Sequence, residues 1–109
     1  MVHKNYKWNI SEEKGRDIIY NIVETLLNER SNKTIEVNEL VYLLNNRTKD
    51  MDIRNNNKKK NISNFIKTIC GGIIKFIDDY DHFLLVINEN YTHVKLNQIE
   101  INEWIFVEE

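Results

Sequence analysis

The side chains that could do chemistry are few in this sequence, and their spacing suits no familiar reaction. The histidines are His3, His82 and His93. No two of them stand at the H-x-x-x-H or H-E-x-x-H spacing that aims two imidazoles at zinc from one helix face. His82 and His93 fall near opposite ends of two β-rich stretches, so they are candidate cross-strand neighbours. Ordinary surface histidines are the simpler expectation. Asp78, Asp79 and Asp81 form a small acidic cluster without the glycine and terminal glutamate of a calcium loop, and read as the solvated entry to a turn. Cys70 is the only cysteine. It excludes an intramolecular disulfide and a cysteine-built zinc site, and at the end of an apolar stripe it reads as a small buried hydrophobe. Gly71-Gly72 lacks the Lys-Ser/Thr that would make it a phosphate loop and reads as a helix cap. The expectation is no enzyme, no metal and no cofactor.

Lysine is the residue type that carries information. The formal net charge is -2, but it is unevenly spread. Residues 47–75 hold eight basic side chains (Arg47, Lys49, Arg54, Lys58, Lys59, Lys60, Lys67, Lys75) against Asp50 and Asp52, a local +6. Residues 76–109 hold one basic and eight acidic side chains, a local -7, and residues 1–46 sum to -1. A basic block inside an acidic chain suggests contact with a polyanion, whereas a lysine run alone is equally a solvated loop.

The elements that would position this block follow from apolar periodicity. A chain of 109 residues is one domain's length. Residues 1–10 read as an N-terminal arm pinned by Trp8, and residues 11–109 as a single domain with a C-terminal extension over 97–109. Ser11 followed by Glu12 and Glu13 is a helix start, and Ile18, Ile19, Ile22, Val23, Leu26 and Leu27 keep helical spacing over about 12–30. Thr34 to Val37 reads as a short extended segment. Asn38 can cap a second helix carrying Leu40, Val41, Leu43 and Leu44, and residues 45–57 read as a polar loop or frayed turn.

A third helix is expected to begin near Lys58 and to carry Ile62, Phe65, Ile66 and Ile69 up to the glycine pair. A helical turn over Ile73 to Asp79 then buries Phe76 and Ile77. After it the period changes to two: Phe83, Leu85 and Ile87 alternate opposite Val94 and Leu96 across an Asn88-Glu89-Asn90 turn, a β-hairpin. The apolar residues Ile99 to Val107 suggest a further strand. Phe65, Ile69, Phe76 and Phe83 are expected in the core. The fold class is α+β, three main helices plus a C-terminal β-hairpin wing, in the order of a winged helix.

The run Asn64-Phe65-Ile66-Lys67-Thr68-Ile69-Cys70-Gly71-Gly72-Ile73-Ile74-Lys75-Phe76-Ile77, with Phe83-x-Leu85-x-Ile87 and Val94-x-Leu96, resembles the LOTUS (OST-HTH) domain. In that family a helix ends in a glycine turn, a short Leu-x-x-Phe-Leu segment follows, and a Phe opens the hairpin. Gly72, Ile73, Phe76, Ile77 and Phe83 occupy those places. The resemblance maps the family domain onto about residues 12–96, with residues 64–96 carrying it. It implies a winged helix that binds RNA, G-rich RNA included, and in some members binds a helicase or dimerises. It transfers no defined binding residue.

The expectation that results is a non-catalytic module binding RNA, with duplex DNA less favoured, through a basic third helix: Arg54, Lys58, Lys59, Lys60 and Lys67 on phosphates. Tyr42 and Tyr91 are candidate stacking residues. The alternative is a protein-interaction winged helix, using the hairpin and the C-terminal segment around Trp104 and Phe106 against a partner or a second copy. No apolar run is long enough to span a membrane and the N-terminus lacks a signal core, so an intracellular setting, cytoplasmic or nuclear, is expected.

Overall fold

The structure is a computed structural model that describes residues 8–97. Helix α1, Glu12–Asn28, starts where Ser11 Oγ accepts the Lys14 amide at 3.1 Å, with Glu12 and Glu13 at the positive end of the helix dipole. Ile19, Val23, Leu26 and Leu27 form its buried stripe. Strand β1, Thr34–Glu36, leads straight into α2, Val37–Arg47. The cap of α2 is Glu36, whose carboxylate accepts the Glu39 amide at 3.2 Å, and not Asn38. Starting at Val37 puts Val37, Leu40 and Leu44 on one stripe, and all three are buried.

The segment expected to be a loop is more ordered than its polarity suggests. α2 runs on to Arg47, and Thr48 closes it by donating its hydroxyl to the Leu44 carbonyl at 2.8 Å. Ile53 is buried in the core, and on either side of Asn56 and Asn57 the chain forms strands β2, Arg54–Asn55, and β3, Lys58–Lys59. Arg54 pairs with Lys59 and Asn55 with Lys58. Asn56 and Asn57 have φ of 58° and 69°. Two consecutive left-handed residues are what a two-residue type I′ turn requires, and asparagine tolerates them better than most residues.

Helix α3 therefore does not begin near Lys58. It spans Ile62–Phe65, capped reciprocally: Asn61 Oδ1 accepts the Asn64 amide at 3.0 Å, and Asn64 Oδ1 accepts the Asn61 amide at 3.1 Å. It continues as a π turn, Ile66–Cys70. Gly71, at φ 82°, ends it, and the Gly72 amide reaches back to the Ile66 carbonyl at 3.0 Å. Helix α4, Ile73–Asp78, buries Phe76 and Ile77 as expected.

The hairpin also forms as read. Strands β4, Phe83–Ile87, and β5, Thr92–Leu96, pair antiparallel from Phe83↔Leu96 to Ile87↔Thr92. β1 adds to the far side of β5, giving the sheet order β1-β5-β4. The helices and this small antiparallel sheet enclose one core in which Phe65, Phe76 and Phe83 are buried, with Ile69 only partly so at its margin. Ile87, expected inside, is 71% exposed because the core ends before it. His82 and His93 are not cross-strand neighbours: His93 faces Val86, while His82 Nε2 lies 2.9 Å from Glu24 on α1.

Trp8 pins the arm. It bridges to Asn55 and meets the Phe65 ring edge-on at 5.2 Å. Residues 1–7 of the arm, and residues 98–109 of the extension with Trp104 and Phe106, lie outside the described residues. Among those described, no helix is long and apolar enough to cross a membrane.

Candidate nucleic-acid interface

The basic block resolves into two kinds of side chain. Arg47, Arg54 and Lys75 are held by carboxylates: Arg47 by Glu29 at 2.9 Å, Lys75 by Asp79 at 3.2 Å, Arg54 by Asp52. Arg54 Nη2 donates to Asp52 Oδ2 at 3.0 Å, and its Nε, 2.9 Å from Oδ1, falls outside hydrogen-bond geometry. By contrast, none of Lys49, Lys58, Lys59, Lys60 and Lys67 has a carboxylate within ion-pair distance among the described residues. An exposed ion pair is worth only about 0–1 kcal/mol, so pairing does not abolish a cation's reach. It does cancel most of its field on an approaching anion, and the unpaired lysines carry the site's charge.

Three of those lysines converge. The end of α2, strand β3 and the start of α3 enclose an open cleft of about 320 Å³ lined by Asn45, Thr48, Lys49, Lys59, Lys60, Asn61 and Asn64. The cleft is positioned from both sides. Asn9 clamps the β2 side of the small hairpin, its amide donating to the Asp52 carbonyl at 2.7 Å and its oxygen accepting the Arg54 amide at 2.8 Å. The Lys60 amide bonds the Ile53 carbonyl at 2.9 Å, tying the strand end to a buried residue. Asn45 joins the two helical walls by accepting the Ser63 amide at 3.1 Å. The lysine stems are thus set on a braced frame while Lys49 and Lys59 remain exposed and Lys60 half-exposed.

Of the residues expected to bind, Lys59 and Lys60 come together in the cleft. Lys58 is exposed beside the Asn56-Asn57 turn, Lys67 lies on the π turn at a neighbouring groove, and Arg54 is neutralised by Asp52. The expected basic third helix is corrected to a basic hairpin facing the end of α2. Lys49, Asn45, Asn61 and Asn64 were missed as cleft residues. The Asn61 to Asn64 spacing is a capping signal legible in the sequence. Nothing local announces that Lys49 joins Lys59 and Lys60.

Elsewhere the chemistry is quiet. Burial pushes the Cys70 thiol upward, away from a reactive thiolate, although the Arg16 charge opposes the shift. Among the described residues no three His, Cys, Asp or Glu side chains are grouped to hold a metal ion. Tyr42 and Tyr91 are both exposed, at 68% and 48%. Tyr91 packs edge-on against His93 at 4.4 Å, whereas no ring contact involves Tyr42 among the described residues. Compared with known proteins, the chain matches no family model, no curated protein and no solved structure.

Proposed function

We propose that this protein is a non-catalytic nucleic-acid-binding module that takes RNA on the cleft of Lys49, Lys59 and Lys60. The observation that carries the reading is convergence: three lysines, from two separate parts of the chain and without carboxylate partners among the described residues, line one open depression. Uncompensated like charges cost folding energy, and phosphates would offset it while releasing their counterions. The side-chain oxygens of Asn45, Asn61 and Asn64 are engaged on the frame, so the groups offered to phosphate are the lysine ammoniums, and the contact is led by charge.

The architecture supports the same reading. The order α1-β1-α2-β2-β3-α3-α4-β4-β5, with β1 on β5, is compatible with a winged helix that carries the β2–β3 hairpin as an insertion and would use β4–β5 as its wing. Of the residues behind the LOTUS resemblance, Gly72 follows the helix-ending turn, Phe76 and Ile77 are in the core and Phe83 opens the hairpin, places that the proposed winged helix would require. RNA as ligand would place the protein's work inside the cell.

A second reading has its own observation. Among the described residues β4 is one of the two edges of the sheet, and it exposes Leu84, Val86 and Ile87 near Tyr91, a surface suited to a protein partner or a second copy. Fluorescence anisotropy with single-stranded RNA, G-rich RNA and duplex DNA at two salt concentrations separates the readings. The RNA reading expects binding that weakens steeply with salt. Absence of binding to every nucleic acid at low salt would end it, and association that depends on the β4 edge would favour the second.

A further inference from the structure

We infer that the cleft continues into a base-accepting groove, so that the ligand is a single strand with one unstacked base seated beside the lysines. The inference rests on the nucleic-acid reading above and specifies the form of its ligand. A second depression, of about 150 Å³, is lined by Val41, Ser63, Ile66, Lys67, Gly72 and Ile73. Its walls are apolar, the Lys67 stem contributing methylenes and the Ser63 hydroxyl being engaged by Asn61 at 2.8 Å. Ser63 is the residue whose amide Asn45 accepts at 3.1 Å, and Asn45 lines the lysine cleft. The two depressions have no lining residue in common but adjoin across the Asn45–Ser63 hydrogen bond, and together they make one strip along α2 and α3, cationic at one end and apolar at the other.

Two features select a nucleobase as the occupant. Lys67 stands in the apolar groove without a carboxylate partner among the described residues, extending the positive strip past the cleft. An apolar slot bordered by unpaired cations complements a chain that alternates planar hydrophobic rings with phosphates. Tyr42 adds the stacking surface. It lines neither depression, but it stands on α2 three residues before the cleft residue Asn45, so that the two share a helix flank, and it is 68% exposed. An exposed aromatic on the flank of the cationic cleft can stack an unstacked base, and a base held within a duplex cannot reach it. Gly71 and Gly72, at φ of 82° and 108°, lead the chain into Ile73, and a Cβ on the groove residue Gly72 would meet no atom within 4 Å, so the wall is open there.

The test uses the full chain and four ligands of equal length: single-stranded RNA, the same strand with abasic positions, duplex RNA, and inorganic polyphosphate. Intact single strand is expected to bind roughly 5- to 150-fold tighter than the abasic strand or the duplex, the range given by one base–aromatic stack. Tyr42→Ala, at an exposed position that leaves folding intact, should erase most of that preference without weakening duplex binding. Lys59→Gln with Lys60→Gln should weaken all four ligands alike. Equal affinity for intact, abasic and duplex strands, with Tyr42→Ala silent, overturns the groove while leaving the nucleic-acid reading standing. If no ligand binds at low salt, both fall. In that case saturation of the groove by an acidic peptide with an apolar anchor would identify a protein as the occupant.

Discussion

The protein contains two hairpins, and they are stabilised in opposite ways. β4–β5 pairs five residues with five, and Phe83, Val94 and Leu96 are inserted in the core. Packing holds it, and its outer edge is left apolar. β2–β3 pairs two residues with two, both β3 lysines are exposed, and a hairpin of that length has no independent stability. It persists because its surroundings fix it: Ile53 anchors its base, Asn9 and Trp8 brace one strand, and Asn61 starts a helix immediately after the other. A core hairpin cannot give up its inward side chains to a ligand, whereas a braced surface hairpin can present nearly all of its own. Lys58 and Lys59 sit on the second kind.

That contrast can be broken in order of expected effect. Phe83→Ala empties a core site at the start of β4 and should cost about 3–5 kcal/mol, read as a lower denaturant midpoint in chemical unfolding. If the cost were under about 1 kcal/mol, β4–β5 would not be held by packing. Asn56→Val with Asn57→Val places β-branched residues at positive φ and should cost about 1–2 kcal/mol per residue. It should weaken RNA binding as well, because β3 carries Lys59 out of the cleft; Asn57→Gly should do neither.

Gly15→Ala sharpens the comparison on the bracing side. An exposed helical glycine replaced by alanine gains about 1 kcal/mol, but here the new methyl would stand 2.4 Å from the ring of Phe65, on which Trp8 rests. Overpacking typically costs about 1–3 kcal/mol, so the melting temperature should fall and not rise. The smallest effect on folding is expected from Lys49→Gln, Lys59→Gln and Lys60→Gln, at tenths of a kcal/mol. Their effect on binding should be large: the slope of log affinity against log salt should flatten by about 0.7 for each single-strand phosphate that is no longer neutralised. An unchanged slope would move the site off the cleft.

What could be read from the sequence follows from the range of the interactions involved. α1 was legible because its apolar residues repeat over many turns behind a serine cap. β4–β5 was legible because Phe83, Leu85, Val94 and Leu96 alternate, and the end at Gly71 because only glycine adopts that φ cheaply. These are properties of neighbours in the chain. The start of α3 was misplaced because two competing signals, a lysine run compatible with helix and an Asn-Asn turn, adjoin each other in the chain. Only burial of Ile53 on one side and Ile62 on the other decides between them. The order of charges along the chain determined that a basic segment exists. That Lys49 meets Lys59 and Lys60, that Arg54 is cancelled by Asp52, and that Asn45 joins this cleft to an apolar groove were decided by tertiary structure, because pairing and convergence depend on distances that no local periodicity encodes.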